Sequence, residues 1–243
     1  MKKLLKVALI EIKLFFREKT AVFFTFLFPL FLLFLFGSIW GKQKDYFSYL
    51  IPMLISIVAF SNSLFGVGVV LAYYRETGIL RRMGITPIPA RTYIYGLLAT
   101  RFLIIIGQSM LLFVLAKIFY TVPVKGNPAS LILVILAGIL SMISFGGVIA
   151  GFSKSHESAI ALANVFFTPL SFLSGAFIPI FILPKFLQTI AKGSPVYHFI
   201  KAMQDIMIHG KRLKDIWVSL AVIIGFLVVC SFISAKTFKL KEG

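Results

Sequence analysis

Charged residues are scarce: Asp, Glu, Lys and Arg make up 14% of the 243 residues, about half the ~25% of an ordinary soluble domain. Carboxylates are scarcest, eight against 25 Lys and Arg. The one cysteine, Cys230, sits in an apolar run, which excludes a disulfide framework and a Cys-based metal site. His156, His198 and His209 lack metal-ligand spacing and read as surface residues of loops. No phosphate-binding loop is present. The nearest approach, Gly146 to Ser155, fails because Lys154 does not directly follow Gly151. G-x-S-x-G, H-E-x-x-H and potassium-filter patterns are missing too. The sequence therefore offers no catalytic constellation and no metal site.

Apolar residues are abundant. They form 59% of the chain, with 27 phenylalanines and a mean hydropathy of +0.99. Such a composition excludes a soluble globular domain, a disordered tail and a nucleic-acid-binding domain, despite a net charge of +17. The basic excess reads as membrane topology and lipid-headgroup contact. A membrane helix needs roughly 20 mostly apolar residues. The windows that qualify predict an all-α integral membrane fold in a single domain, 1–243. Its six transmembrane helices fall at about 20–41, 48–74, 94–116, 129–152, 158–175 and 216–235. Trp40, Tyr46, Tyr49, Tyr73, Tyr74, Tyr93, Tyr95, Tyr120 and Trp217 fall near span ends, where amphipathic rings belong. Tyr197 is placed in a loop. The first run is too long for a secretory h-region and reads as retained.

Six spans put both termini on one side. That side carries 14 basic residues against 10 opposite, and the bias is clearest early in the chain. Both termini are therefore expected in the cytoplasm. Residues 2–19 predict an interfacial amphipathic helix, with Lys2, Lys3, Lys6, Lys13 and Arg17 on one arc and Leu4, Leu5, Ala8, Ile12, Phe15 and Phe16 on another. Val7, Ile10 and Leu14 break that pattern. Between spans two and three, residues 76–84 predict a short cationic helix with Ile79, Leu80 and Met83 on one face. Gly84 and Pro87 terminate it. The fifth window, Ser158 to Pro184, contains Pro169, Gly175, Pro179 and Pro184, so it should end near Ser174-Gly175 and bend back. Ser194-Pro195 then opens an amphipathic helix that Gly210 stops. The external segment 176–210 is expected to pack on the membrane face.

All carboxylates fall at or outside span ends, and Arg101 is the one charge inside a span, read as snorkelling toward the cytoplasm. Asn62, Gln108 and Asn164 read as interhelical hydrogen bonders. Gly147 with Gly151, and Ala159 with Ala163, read as small-xxx-small contacts.

Two segments are familiar. Arg75-Glu76-x-Gly78-x-Leu80-Arg81-Arg82-Met83-x-x-Thr86-Pro87 resembles the coupling-helix segment of ABC type-2 exporter permeases. Ile79 and Met83 stand where the family often has a small hydroxyl residue and leucine. Pro169-Leu170-x-Phe172-Leu173-Ser174-Gly175-x-Phe177-x-Pro179, followed by Pro184 and Ser194-Pro195, resembles the family's break between span five and its re-entrant external helices. The resemblance covers nearly the whole chain. It implies a permease subunit in a bacterial or archaeal cell membrane that exports a hydrophobic or amphiphilic drug- or lipid-type cargo. It implies pairing with a second copy, in a homodimer, through spans one and five with Ala159, Ala163 and Asn164. Two separate ATPase subunits would hold ATP and magnesium and contact Arg75, Glu76, Gly78, Ile79, Leu80, Arg81, Arg82, Met83 and Pro87, while Pro169, Gly175, Pro179 and Pro184 would form an external gate. A polysaccharide or teichoic-acid exporter permease shares this architecture, and a non-transporting anchor or assembly subunit is a reading of another class.

Overall fold

The computed structural model describes residues 2–41, 46–83, 89–120, 122–175, 180 and 183–238. The regular secondary structure of the described residues is all helical, with no strand among them. We number the helices α1 (Lys2–Arg17), α2 (Lys19–Trp40), α3 (Tyr46–Glu76), α4 (Ile79–Met83) and α5 (Ala90–Phe119), followed by α6 (Pro128–Phe152), α7 (His156–Leu173), α8 (Lys185–Lys192), α9 (Pro195–His209) and α10 (Leu213–Thr237).

Five of these, α2, α3, α5, α6 and α10, are long and apolar enough to cross a membrane. The chain is thus a multi-pass membrane protein. The helix in the region of the expected fifth span, α7, has 18 residues and opens on His156 and Glu157, so it is shorter and more polar than the other five.

Helix α6 is the hub, and its small residues explain why. Its start is fixed by the Asn127 side chain, which accepts from the Ala129 N–H at 2.8 Å, and by Pro128 in the first turn. Along the helix, Gly146 receives the backbone carbonyl of Ser63 in α3, while Gly147 and Gly151 receive Ser234 and Thr237 of α10. A Cβ at any of the three would collide with those atoms. Close backbone approach through small residues is the usual way helices associate where no water drives them together. The Ser63 contact falls on a π-helical stretch of α3, Asn62–Val69; a second π-helical stretch, Phe23–Leu27, lies in α2.

Helix α9 departs from expectation. It is buried on more than one face. Val196, His198, Phe199, Ile200, Ala202, Met203, Asp205, Ile206, Met207 and Ile208 are all buried. The Phe199 ring fills the notch at Gly138, ten residues into α6, which is ~15 Å along that helix. The helix is inserted among α3, α6 and α10 because its apolar positions surround it and Gly126 and Gly138 leave room for it. Tyr197 and His198 are therefore helical, and His198 is a core residue. Its Nε2 donates to the Lys192 carbonyl at 2.7 Å, and its Nδ1 lies 3.1 Å from Ser219 Oγ. Gly210, at φ 64°, ends α9 in the left-handed conformation that suits glycine.

Candidate functional site

The end of α3 and the start of α4 are tied to the rest of the chain. Arg75 donates to the Ser153 carbonyl at the end of α6 and lies over the Phe238 ring at 5.6 Å. Glu76 Oε2 accepts the His156 N–H at 2.6 Å, placing a carboxylate on the N-terminal end of α7. Gly78 adopts φ 70°, which turns the chain into α4. Leu80 then closes the joint: it is 4% exposed and packs with Val7 of α1 and Tyr93 of α5. Arg75 and Glu76 thus fasten the end of one span to the α6–α7 connection.

Leu80 corrects one expectation. Ile79, Leu80 and Met83 form the expected apolar stripe, but Leu80 is already used inside the chain and Ile79 is half-buried. Arg81 and Arg82 are the exposed residues of α4; Arg82 Nη2 also donates to the Thr77 carbonyl at 3.0 Å. The Met83 side chain, Gly84 and Pro87 lie outside the described residues.

Helix α1 docks on α5 through a stripe that composition hides. Val7 fits against Gly96, and Thr100 Oγ1 donates to the Ala8 carbonyl at 3.1 Å. Glu11, 2% exposed, accepts from the Tyr93 hydroxyl and from the Tyr74 hydroxyl at 3.3 Å. The Arg101 guanidinium lies 5.3 Å from the Phe15 ring centre. Glu11 and Arg101 are thus both buried, and Arg101 is not a cation snorkelling to the end of its span. The signal was Glu11's place four residues from both Val7 and Phe15, which share one face.

On the opposite half of the molecule, Gly175 follows α7 at φ 82°, beside the Ile180 side chain. Pro169 lies inside α7 and Pro184 caps α8, both exposed; Pro179 is outside the described residues. Gly175 borders a cleft of about 890 Å³ walled by Trp40, Tyr46, Tyr49, Tyr197 and Lys201. Asp205 lines the same cleft and is paired with Lys211 at 2.8 Å.

A family model described as ABC-2 type transporter matches residues 4–208. The chain belongs to the ABC-2 type transporter family. It is 24% identical over 208 residues to ABC transporter G family member 20 of Dictyostelium discoideum, which covers 84% of this chain and 28% of that one. It is 23% identical over 181 residues to the probable multidrug ABC transporter permease YbhR of Escherichia coli, 74% of this chain and 49% of that one. The putative transport permease YvfS of Bacillus subtilis is 23% identical over 242 residues, 97% and 98% of the two chains. The chain thus spans between about a quarter and a half of the first two relatives and nearly all of the third.

For an ABC-2 family chain, the polar residues within the spans divide unevenly. Asn62 does bridge helices: its Oδ1 accepts from Thr25 Oγ1 at 3.2 Å. Gln108 is fully buried and neither amide atom has a partner. Asn164 is exposed and donates back to Ile160 of its own helix at 3.0 Å. Ala159 and Ala163 are 0% exposed and packed among residues of α3 and α6, so they do not face outward as a seam would require. Among the described residues no cluster of His, Cys, Asp or Glu is placed to hold a metal ion.

Proposed function

We propose that the chain is the permease subunit of an ABC exporter, with α7 as a sixth span and both termini cytoplasmic. Two copies would pair, and two ATPase subunits carrying ATP and magnesium would dock at α4. The observation that carries this reading is the fastened joint at Arg75 and Glu76. A force applied at α4 is delivered through it to α3, to the end of α6 and to the start of α7 at once. Leu80 makes α4 move with α1 and α5 as well. Arg81 and Arg82, exposed beside this joint, offer the docking ATPase two cations that set register and association rate. The cargo in this reading is a hydrophobic or amphiphilic molecule. The word multidrug in one relative's name and the aromatic walls of the cleft beyond Gly175 support it. Pro169, Gly175, Pro179 and Pro184 would shape the outlet.

The test is the double reversal Arg81→Glu with Arg82→Glu. Because both side chains are exposed, the permease should reach the membrane in normal amount and unfold at its usual temperature. Co-purification of the ATPase should drop by about ten-fold, the loss of a few charge-assisted contacts. Unchanged complex formation and unchanged ATP-driven export would refute the docking role.

A further inference from the structure

A second cavity lies in the half of the molecule that holds α1, between α1, α2, α3 and α5, with a volume of about 540 Å³. Glu18 and Thr20 line it at the α1–α2 elbow, and Phe24, Thr25, Asn62 and Arg101 line it further along their helices. Arg101 is the reason to expect a ligand. It is 9% exposed, and its Nε has no hydrogen-bond partner. The one ion pair among the described residues is Lys211 with Asp205, so no carboxylate bridges Arg101. Glu11 shares the cavity, and the Tyr74 and Tyr93 hydroxyls both bond to its Oε1. The Glu11 carboxylate acts on the guanidinium only from beyond ion-pair distance, and a buried Nε–H without a partner is costly to keep, because the donor loses water and gains nothing. Gly66 lines the same cavity beside the guanidinium: a Cβ there would come within 3.3 Å of Arg101 Nη1.

We infer that this cavity takes the phosphate headgroup of an amphiphile drawn from the adjoining membrane leaflet, with Arg101 as the phosphate ligand. The planar guanidinium fits two phosphate oxygens at once, which no other side chain in the cavity does. Asn62 and Thr25, already bonded to each other, place an amide and a hydroxyl beside the same space. Phe24 and Phe65 supply apolar wall for the first part of the chains. The elbow at Glu18, where the backbone is extended between α1 and α2, is the mouth. The inference rests on the exporter reading only in naming the cytosolic leaflet and in making this ligand class the cargo taken up. Binding itself needs neither ATP nor the ATPase.

The experiment measures binding of a phosphatidylethanolamine carrying a fluorophore on one acyl chain to the full-length permease in detergent. Diacylglycerol with the same labelled chain serves as the phosphate-free partner. Wild type should bind the phospholipid about ten-fold or more tightly than the diacylglycerol, and millimolar inorganic phosphate should not displace it. Arg101→Gln and Gly66→Leu should each lower phospholipid affinity by about ten-fold, one by removing the charge and the other by filling the space. Lys214→Ala, an exposed site that does not line the cavity, should change nothing. Equal binding of the two lipids overturns the inference. Wild-type affinity in either folded variant does so too. Displacement by inorganic phosphate would assign the site to the free ion and overturn the lipid. Should Arg101→Gln not fold, Gly66→Leu decides alone. Failure of the ATPase to co-purify with wild type would instead defeat the exporter reading and leave this result standing.

Discussion

At Glu11 a carboxylate is held away from water by two phenols, and each hydroxyl matters because the acceptor has no solvent to turn to. Removing the shorter contact with Tyr93→Phe should lower stability by about 1–3 kcal/mol, the cost of an under-satisfied buried acceptor. Tyr95→Phe, at a side chain 62% exposed, should change it by less than about 0.5 kcal/mol. Thermal unfolding of the two variants in the same detergent compares them directly. His198 carries a different consequence. Its Nε2 faces a carbonyl, which only accepts, so Nε2 holds a proton; in the neutral ring Nδ1 then accepts from the Ser219 hydroxyl. Burial, more than the nearby Lys201 charge, pushes its pKa below the ordinary 6.5, although the Lys192 carbonyl opposes the shift. The unfolded chain then binds more protons than the folded one below that value, so stability falls as pH drops through 6.5. The unfolding temperature of wild type should decline between about pH 7.5 and 5.5, and His198→Gln should flatten the decline. An equal decline in both would remove His198 as its source. His198's role was not legible in the sequence, and for Glu11 only its spacing from Val7 and Phe15 pointed to burial. Glu11 stood among lysines and His198 followed a tyrosine in a connecting segment, and both are buried by helices more than 20 residues away.

Among the helices, what the sequence displays depends on how local the cause is. The five long apolar helices were legible because length and hydropathy are properties of one segment. The insertion of α9 was not. It is set by the fit of Phe199 to Gly138 and of Ile206 to Gly126, pairs separated by more than 60 residues. The apolar spacing of α9 promised a buried face without saying how deep. Helix α4 shows the same limit in reverse. Its stripe was visible, but Leu80 satisfies it inside the chain, so a charged substitution there would perturb the fold before it tested any partner. The contact between α3 and α6 gives the sharpest test of helix packing. At Gly146 an added methyl meets the Ser63 carbonyl, whereas at Gly107 it meets nothing within 4 Å. Gly146→Ala should therefore cost about 1–3 kcal/mol through forced separation of the helices. Gly107→Ala should add about 0.5–1 kcal/mol, because the methyl only restrains a helical backbone. If the two substitutions have equal effects, close approach through Gly146 is not what sets the α3–α6 distance.

For the molecule as a whole, topology turns on α7. Five crossings would place the termini on opposite sides of the membrane, and six on the same side. The apolar length of α7 alone does not decide this: its 18 residues span about 27 Å as a helix, slightly less than the ~30 Å of a hydrocarbon core. Two features favour a crossing. The inward face of α7 carries Ala159 and Ala163, fully buried against α3 and α6, so the helix lies along two spans and not across their ends. Its outward face leaves Ile160, Val165 and Phe166 exposed, side chains that suit lipid or a second copy and not water. The polar ends fit as well: Lys154 precedes the helix, and Lys185 and Lys192 follow it on α8, all exposed. With Cys230, which is buried, first replaced by serine, single cysteines at Lys154 and at Lys192 would report the two ends of α7. In intact cells an impermeant thiol reagent should label Lys192→Cys and spare Lys154→Cys until the membrane is opened. Labelling of both, or of neither, would mean that α7 enters and leaves by the same side. The pair Arg75–Ser153 and Glu76–His156 would then join elements at a five-span body's edge, and the termini would lie on opposite faces.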